Sequence, residues 1–333
     1  PDGTSGIINI VLKKNKLKGF NGSVSSNIGS GDLKNGNIYE GNISLNYRND
    51  KFNAFISYNG RSYSGYRNKF SDIYTDFNAD SSTHLDQNRI GTDLNISQSI
   101  MGGLDFTINA NHKLGVYGNF SLGRRERNGE LWNSLYNQNG TRLALWNRNS
   151  YDPKTRSNSD FGLNYEFLFR EERGKLQFNM NQSFGAEDIE GFYSEYYYTP
   201  DSVLSSQDSL SQRLHNEETN NINTVQLDLE YLFPEINARM ELGAKSIIRS
   251  QSVNTFSESY SPLEQAYLED TIANFDYLYD ESIYSLYGIF GQQLNKFKYQ
   301  AGLRVEKAFQ TPNLVSDSLR IENNYFNLFP SAH

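Results

Sequence analysis

Val225-Gln226-Leu227-Asp228-Leu229-Glu230-Tyr231 alternates apolar and polar residues without a break. A period of two is that of a strand with one apolar and one polar face. Phe233-Pro234-Glu235-Ile236-Asn237 turns the chain, and Met240, Leu242 and Ala244 then alternate with Glu241, Gly243 and Lys245. The pair is a β-hairpin with a short turn. Its polar face carries Asp228, Glu230, Glu241 and Lys245, too many charges for a packed core. Two architectures accept such a hairpin. A soluble sheet buries one face and wets the other, and a barrel sets its apolar face against lipid and its polar face around a watery lumen.

Composition is consistent with either. The 333 residues are 21% charged and 37% hydrophobic, with a mean hydropathy of −0.68. There are 23 Tyr and 21 Phe but 2 Trp, and no long helical period, which is the composition of β-hairpins. The absence of cysteine excludes disulfide frameworks and Cys-based zinc sites. A net charge of −8 without a basic block argues against a nucleic-acid partner. No apolar run reaches the ~18 residues of a membrane-spanning helix. The chain opens at Pro1 and stops at His333 inside a strand-like pattern, so it reads as a fragment.

Outward from the hairpin the same pattern recurs. Ile43, Leu45 and Tyr47, then Phe52, Ala54, Ile56 and Tyr58, then Val116, Gly118, Phe120 and Leu122 each alternate with polar residues. So do Phe161 to Phe169, Leu176 to Met180, and Tyr299 to Val305. Leu85 to Asn109 is long for one strand, and a bulge is expected at Gly102-Gly103. Short turns centre near residues 50, 112, 173, 236 and 297, steps of 62, 61, 63 and 61. Between successive turns lie two strands and one longer polar stretch, near 66–83, 127–156, 191–215 and 254–279, and a further such stretch follows the last turn near 312–323. All short turns therefore fall at one end and all long connections at the other. A Greek-key sandwich would mix them, whereas outer-membrane barrels separate them. The expected fold is all-β: a transmembrane antiparallel up-and-down β-barrel, with about eleven complete strands and the start of a twelfth.

The N-terminus adds a motif. Asp2-Gly3-Thr4-Ser5-Gly6-Ile7-Ile8-Asn9-Ile10-Val11-Leu12-Lys13-Lys14 resembles the strand that closes the plug domain of TonB-dependent outer-membrane receptors, with Gly3, Gly6, Ile8, Asn9, Ile10 and Lys14 in the matching places. The Gly-rich first strand and the Tyr-, Asn- and Phe-rich hairpins resemble the TonB-receptor-like barrels of the Bacteroidota. The resemblance implies that residues 1–18 are the end of a plug domain and its connector. Residues 19–333 would then be the N-terminal half of a barrel of 22 strands. It implies a location in the outer membrane of a Gram-negative cell, long loops outside and short turns in the periplasm. It also implies outer-membrane lipid, a small-molecule or oligosaccharide cargo, a surface lipoprotein and the TonB complex as partners, the last reached through a missing N-terminal region. The cargo stays open among a ferric chelate, a cofactor, an oligosaccharide and a peptide. The sequence implies no resident cofactor or metal.

The stretch from Arg127 to Arg156, read as the longest loop, holds Trp132, Tyr136, Arg142, Trp146, Arg148 and Tyr151. Aromatic rings and guanidinium groups together suit a sugar or an anionic chelate, and they equally suit packing of the loop on itself. Phe192-Tyr193-Ser194-Glu195-Tyr196-Tyr197-Tyr198 reads as an aromatic girdle at a membrane interface. Asp72, Asp76 and Asp80 do not have the spacing of a calcium loop. No Gly-x-Ser-x-Gly or phosphate-binding glycine loop is present, so no enzyme is expected. His84 and His215 with nearby acids imitate the Asp and His sets of outer-membrane proteases. The rival readings are a non-transporting surface barrel, as adhesin or assembly partner, and a soluble β-rich glycan-binding protein.

Overall fold

A computed structural model of the chain describes residues 18–31, 36–78, 81–171, 173–199, 201, 203–205 and 210–333. The plug-like motif at Gly3 to Lys14 lies outside the described residues. The strands are β1 (Gly19–Ser30), β2 (Asn37–Arg48), β3 (Phe52–Asn78), β4 (Ser81–Thr107), β5 (His112–Asn137), β6 (Arg142–Phe169) and β7 (Gly174–Tyr198). They continue with β8 (Leu210–Phe233), β9 (Ala238–Ser261), β10 (Ala266–Glu269), β11 (Phe275–Leu294), β12 (Phe297–Leu314), β13 (Leu319–Arg320) and β14 (Asn323–Ala332). Each long strand pairs antiparallel with the next, in the order β1 to β9, then β11, β12 and β14. β10 adds to β9 and β13 to β12. Among the described residues β1 and β14 do not pair, so this sheet is not closed.

The quoted hairpin forms as expected. Val225, Leu227 and Leu229 pair with Ser246, Ala244 and Leu242. Pro234–Ile236 makes one 3-10 turn, and Asn237 closes it at φ 48. Asparagine tolerates the left-handed region better than other residues with a Cβ. Glu230 lies opposite Glu241, a like-charge pair, and Arg239 relieves it by reaching Glu230 at 3.0 Å and Glu241 at 2.8 Å.

Register carries each face across the sheet. Leu45 faces Ile56, Ile56 faces Gly102, and Ala54 faces Leu104. Leu104 faces Val116, which faces Leu163, which faces Met180. Met180 faces Val225, Ala244 faces Leu286, and Leu286 faces Val305. The result is one continuous apolar belt, and nothing among the described residues covers it: Val24 is 76% exposed, Leu286 64% and Leu242 44%. A soluble two-layer sheet would bury these positions at about 25 cal/mol per Å². This single layer leaves them bare, which counts against the soluble glycan-binding reading.

Aromatic rings sit at two levels of the belt. Near the short turns, Phe167, Phe169, Tyr231 and Phe233 form a contact chain with centroids 5.6, 6.2 and 4.7 Å apart. Higher up stand Phe120, Phe161, Phe184, Tyr284 and Phe309. The eight residues from Phe169 to Phe161 span about 27 Å of strand, or about 21 Å at the usual barrel tilt of ~40°. That height is close to the apolar band of an outer-membrane barrel, about 25 Å.

Three expectations need correction. The stretches read as loops are mostly strand. β5 and β6 run on to Asn137 and Arg142, so 127–156 is a paired ribbon turned at 138–141, and the other long stretches behave alike. A ribbon standing in water has no need of an apolar face, so the period of two fades there although the pairing continues. The bulge at Gly102-Gly103 is absent. Phe55 pairs in register with Gly103, whose missing Cβ leaves room for the Phe55 ring, and the register instead shifts at Asp76/Asn78. Gly162 accommodates Tyr117 in the same way. The Phe192 to Tyr198 girdle also fails, because its residues lie 18 to 24 positions above the turn that opens β7 at Gly174, about 60–80 Å of strand. That is well beyond the band.

Candidate arginine pocket

The face opposite the belt is mainly polar, and many of its charges are matched across strands. Lys113 reaches Glu166 at 2.6 Å, Asn119 donates to Asp160 at 3.2 Å, and Arg249 reaches Glu281 at 3.1 Å. Gln310 and Tyr279 also donate to Glu281, at 2.8 and 3.0 Å. Hydrogen-bonded pairing is what allows these groups to stand so close together.

Away from the short turns, the same face gathers arginines. Arg67 on β3, Arg89 on β4, Arg127 on β5 and Arg148 on β6 line a cavity of about 270 Å³ together with Ser150, Asp152 and Tyr193. Strand pairing assembles it. Arg127 lies opposite Asp93, and Asp152 opposite Arg127. Leu131 pairs with both Arg89 and Arg148, and Ser150 pairs with Tyr193. Asp93 receives Arg67 at 2.6 Å and Arg127 at 3.2 Å, with 14% of its side chain exposed. Arg148 pairs with Glu195 at 3.0 Å and lies 4.6 Å above the Tyr193 ring. The Tyr193 hydroxyl donates to Asp152 at 2.6 Å. Burial, with the hydrogen bond to Asp152 and that group's charge, pushes the Tyr193 phenol up to about 12 against the pull of Arg148. The phenol therefore remains a donor at neutral pH. Three carboxylates (Asp93, Asp152 and Glu195) face four guanidinium groups, and Glu130 also lines the cavity. Arg89 has no ion-pair partner among the described residues. An anion of a few oxygens suits this arrangement, since forked donors converge on it from four strands.

The residues singled out in the sequence divide between the faces. Arg148 and Trp146 lie on the pocket face, with Arg148 in the pocket wall. Trp132 lies on the other face, 5.4 Å from the Tyr198 ring. Tyr151 is on that face too, stacked with Phe192 at 6.1 Å. Tyr136 pairs with Arg142 beyond the β5/β6 register shift. The structure thus does not bring the six together. Arg67, Arg89 and Arg127 escaped the sequence reading because they are far apart in the chain and only register unites them.

The two His–acid pairs do not converge either. His84 on β4 lies 2.6 Å from Asp86, and His215 on β8 lies 3.1 Å from Asp188. Three strands stand between β4 and β8, and register sets His215 level with Leu94, so the pairs are about 19 Å apart across the sheet and a further ~34 Å along it.

A family model described as "Outer membrane protein beta-barrel family" matches residues 167–333, half of the chain. The chain belongs to that family, and the bare apolar belt is its lipid-facing surface in the outer membrane. No curated protein matches the sequence. Among solved structures, the outer membrane protease OmpT of Escherichia coli shares 14% identity at a TM-score of 0.28, over 85% of this chain and 95% of that one. The siderophore receptor PiuA of Acinetobacter baumannii shares 9% at 0.32, over 95% of this chain and 64% of that one. The ferric citrate transporter FecA shares 11% at 0.29, over 93% and 55%. The chain therefore spans less than two thirds of either receptor. These superpositions are too loose to carry an argument about function.

Proposed function

We propose that the chain is part of a TonB-dependent receptor that imports a scarce anionic solute, with ferric chelates the first class to test. The observation that carries the reading is the arginine pocket on the polar face, on the far side of the belt from the short turns. In this reading the short turns are periplasmic and the pocket is extracellular, where it captures cargo before the lumen. Residues 1–18 end the plug that gates the lumen, and energy arrives through the TonB complex. The unpaired edges at β1 and β14 join further strands, giving a barrel of 22, because open edges in lipid cost several kcal/mol per unsatisfied group. No catalytic role is assigned. The two His–acid pairs are too far apart to act on one bond.

The test is uptake of ⁵⁵Fe-labelled anionic ferric chelates by cells expressing the full-length gene. It compares the wild type, a tonB deletion and the double variant Arg89→Glu/Arg148→Glu. Uptake by the wild type, lost in the tonB deletion and reduced roughly tenfold or more by charge reversal, is the expected result. Uptake no greater than in cells lacking the gene would favour a non-transporting surface barrel, and uptake indifferent to both changes would contradict the TonB-dependent reading.

A further inference from the structure

We infer that Asp72, His84 and Asp86, at the end of the β3–β4 ribbon distant from the short turns, form a binding site for a divalent first-row transition metal. Pairing places the three side chains together. Asp72 lies opposite Asp86, Tyr74 lies opposite His84, and His84 and Asp86 are two apart on β4, so all four occupy one face. The donor atoms, one from each of the three residues, lie within 4.8 Å of one another. His84 Nε2 is 2.6 Å from Asp86 Oδ1 and 3.9 Å from Asp72 Oδ1.

A plain His–Asp ion pair accounts for closeness but not for orientation. His84 Nε2 and Asp86 Oδ1 are both shielded from solvent, and neither makes a hydrogen bond. Their lone pairs are not aimed at each other, an arrangement that suits a shared third atom. The imidazole is also held in place. The Tyr74 ring stacks on it at 4.2 Å and 5°, and the Tyr136 ring lies 6.0 Å away. Fixing a ligand's orientation by its surroundings is a regular feature of metal sites. Asp72 is 68% exposed, which leaves the third ligand free to swing and the ion free to enter.

The donor set selects the metal. One imidazole nitrogen and two carboxylate oxygens bring a charge of −2 to a dication, and imidazole favours Zn²⁺, Cu²⁺, Fe²⁺ or Ni²⁺ over Ca²⁺ or Mg²⁺. Ligands about 2.0–2.1 Å from a tetrahedral ion stand about 3.3 Å apart. The 2.6 Å separation must open and the 3.9 Å separation close, each by about 0.6–0.7 Å, within the reach of side-chain rotation. Water would complete the shell. The site lies some 20 residues along β3 from its short turn, far beyond the lipid band.

The experiment is a titration of the purified full chain in detergent with Zn²⁺ by calorimetry, and with Co²⁺ by its visible absorption. One equivalent should bind in the wild type. His84→Ala and the near-isosteric Asp86→Asn should each weaken binding roughly tenfold or more and remove the cobalt bands, while His215→Ala leaves both unchanged. Equal losses in His84→Ala and His215→Ala would mean generic surface binding and overturn the site. So would wild-type affinity retained in both His84→Ala and Asp86→Asn.

Discussion

Leu227→Arg is expected to destabilise the membrane-inserted protein by about 2–4 kcal/mol, while Gln226→Arg next to it changes stability by less than about 1 kcal/mol. The difference comes from the period of two. Leu227 pairs with Phe178 and Ala244 on the bare apolar belt. It lies seven residues above the turn at Pro234, about 24 Å of strand, which places it near mid-membrane once the strand is tilted. A guanidinium there is in hydrocarbon with no partner. Gln226 points the other way and donates to Asp228 at 2.9 Å, a contact that arginine can take over. Urea unfolding in phospholipid vesicles, followed by far-ultraviolet circular dichroism, measures both variants. Equal costs at the two positions would mean that the faces are wrongly assigned.

Asp93→Asn should lower stability and raise anion affinity together. The carboxylate receives both Arg67 and Arg127 and is largely buried, so its loss leaves two guanidinium groups side by side without compensation. Removing one partner from a fully buried pair costs about 3–5 kcal/mol. With the arginines at the edge of an open cavity, about 1–3 kcal/mol is expected. The pocket also gains one unit of positive charge, so citrate should bind more tightly, by about tenfold. Thermal melting and a citrate titration on one detergent preparation read both quantities. A variant that is as stable as the wild type and no better at binding citrate would show that Asp93 does not hold the pocket.

The sequence reading and the structure agree where lipid imposes a rule. Leu227, Leu242, Ile56 and Val116 must face hydrocarbon, and their alternation with polar residues made the strands, the turns and the up-and-down order legible. Asn237 and Pro234 marked the hairpin turn for local reasons of backbone geometry. Beyond the band the rule lapses. Arg127 to Arg156 reads as a loop because, in water, exposed residues such as Asn128 and Glu130 can occupy either face of a strand at little cost. The arginine pocket was illegible for another reason. Arg67, Arg89, Arg127 and Arg148 lie on four strands, and alternation gives a strand its faces but not the register with its neighbour. His84 and Asp86 were adjacent enough to notice, but Asp72 joins them only through pairing of β3 with β4. Of the aromatic candidates, Trp132 and Tyr151 turn away from Arg148 by simple parity, which was already available once the ribbon was known to be strand.

The most direct test uses the absence of cysteine, which makes single-cysteine variants free of background. Spin labels placed in turn from residue 225 to residue 231, with the protein in lipid vesicles, report collisions with oxygen, which concentrates in the bilayer, and with a water-soluble nickel chelate. The lipid-facing assignment of the belt predicts that 225, 227, 229 and 231 favour oxygen and that 226, 228 and 230 favour nickel, with a strict period of two. A profile without alternation, or one with nickel favoured at the odd positions, would contradict it.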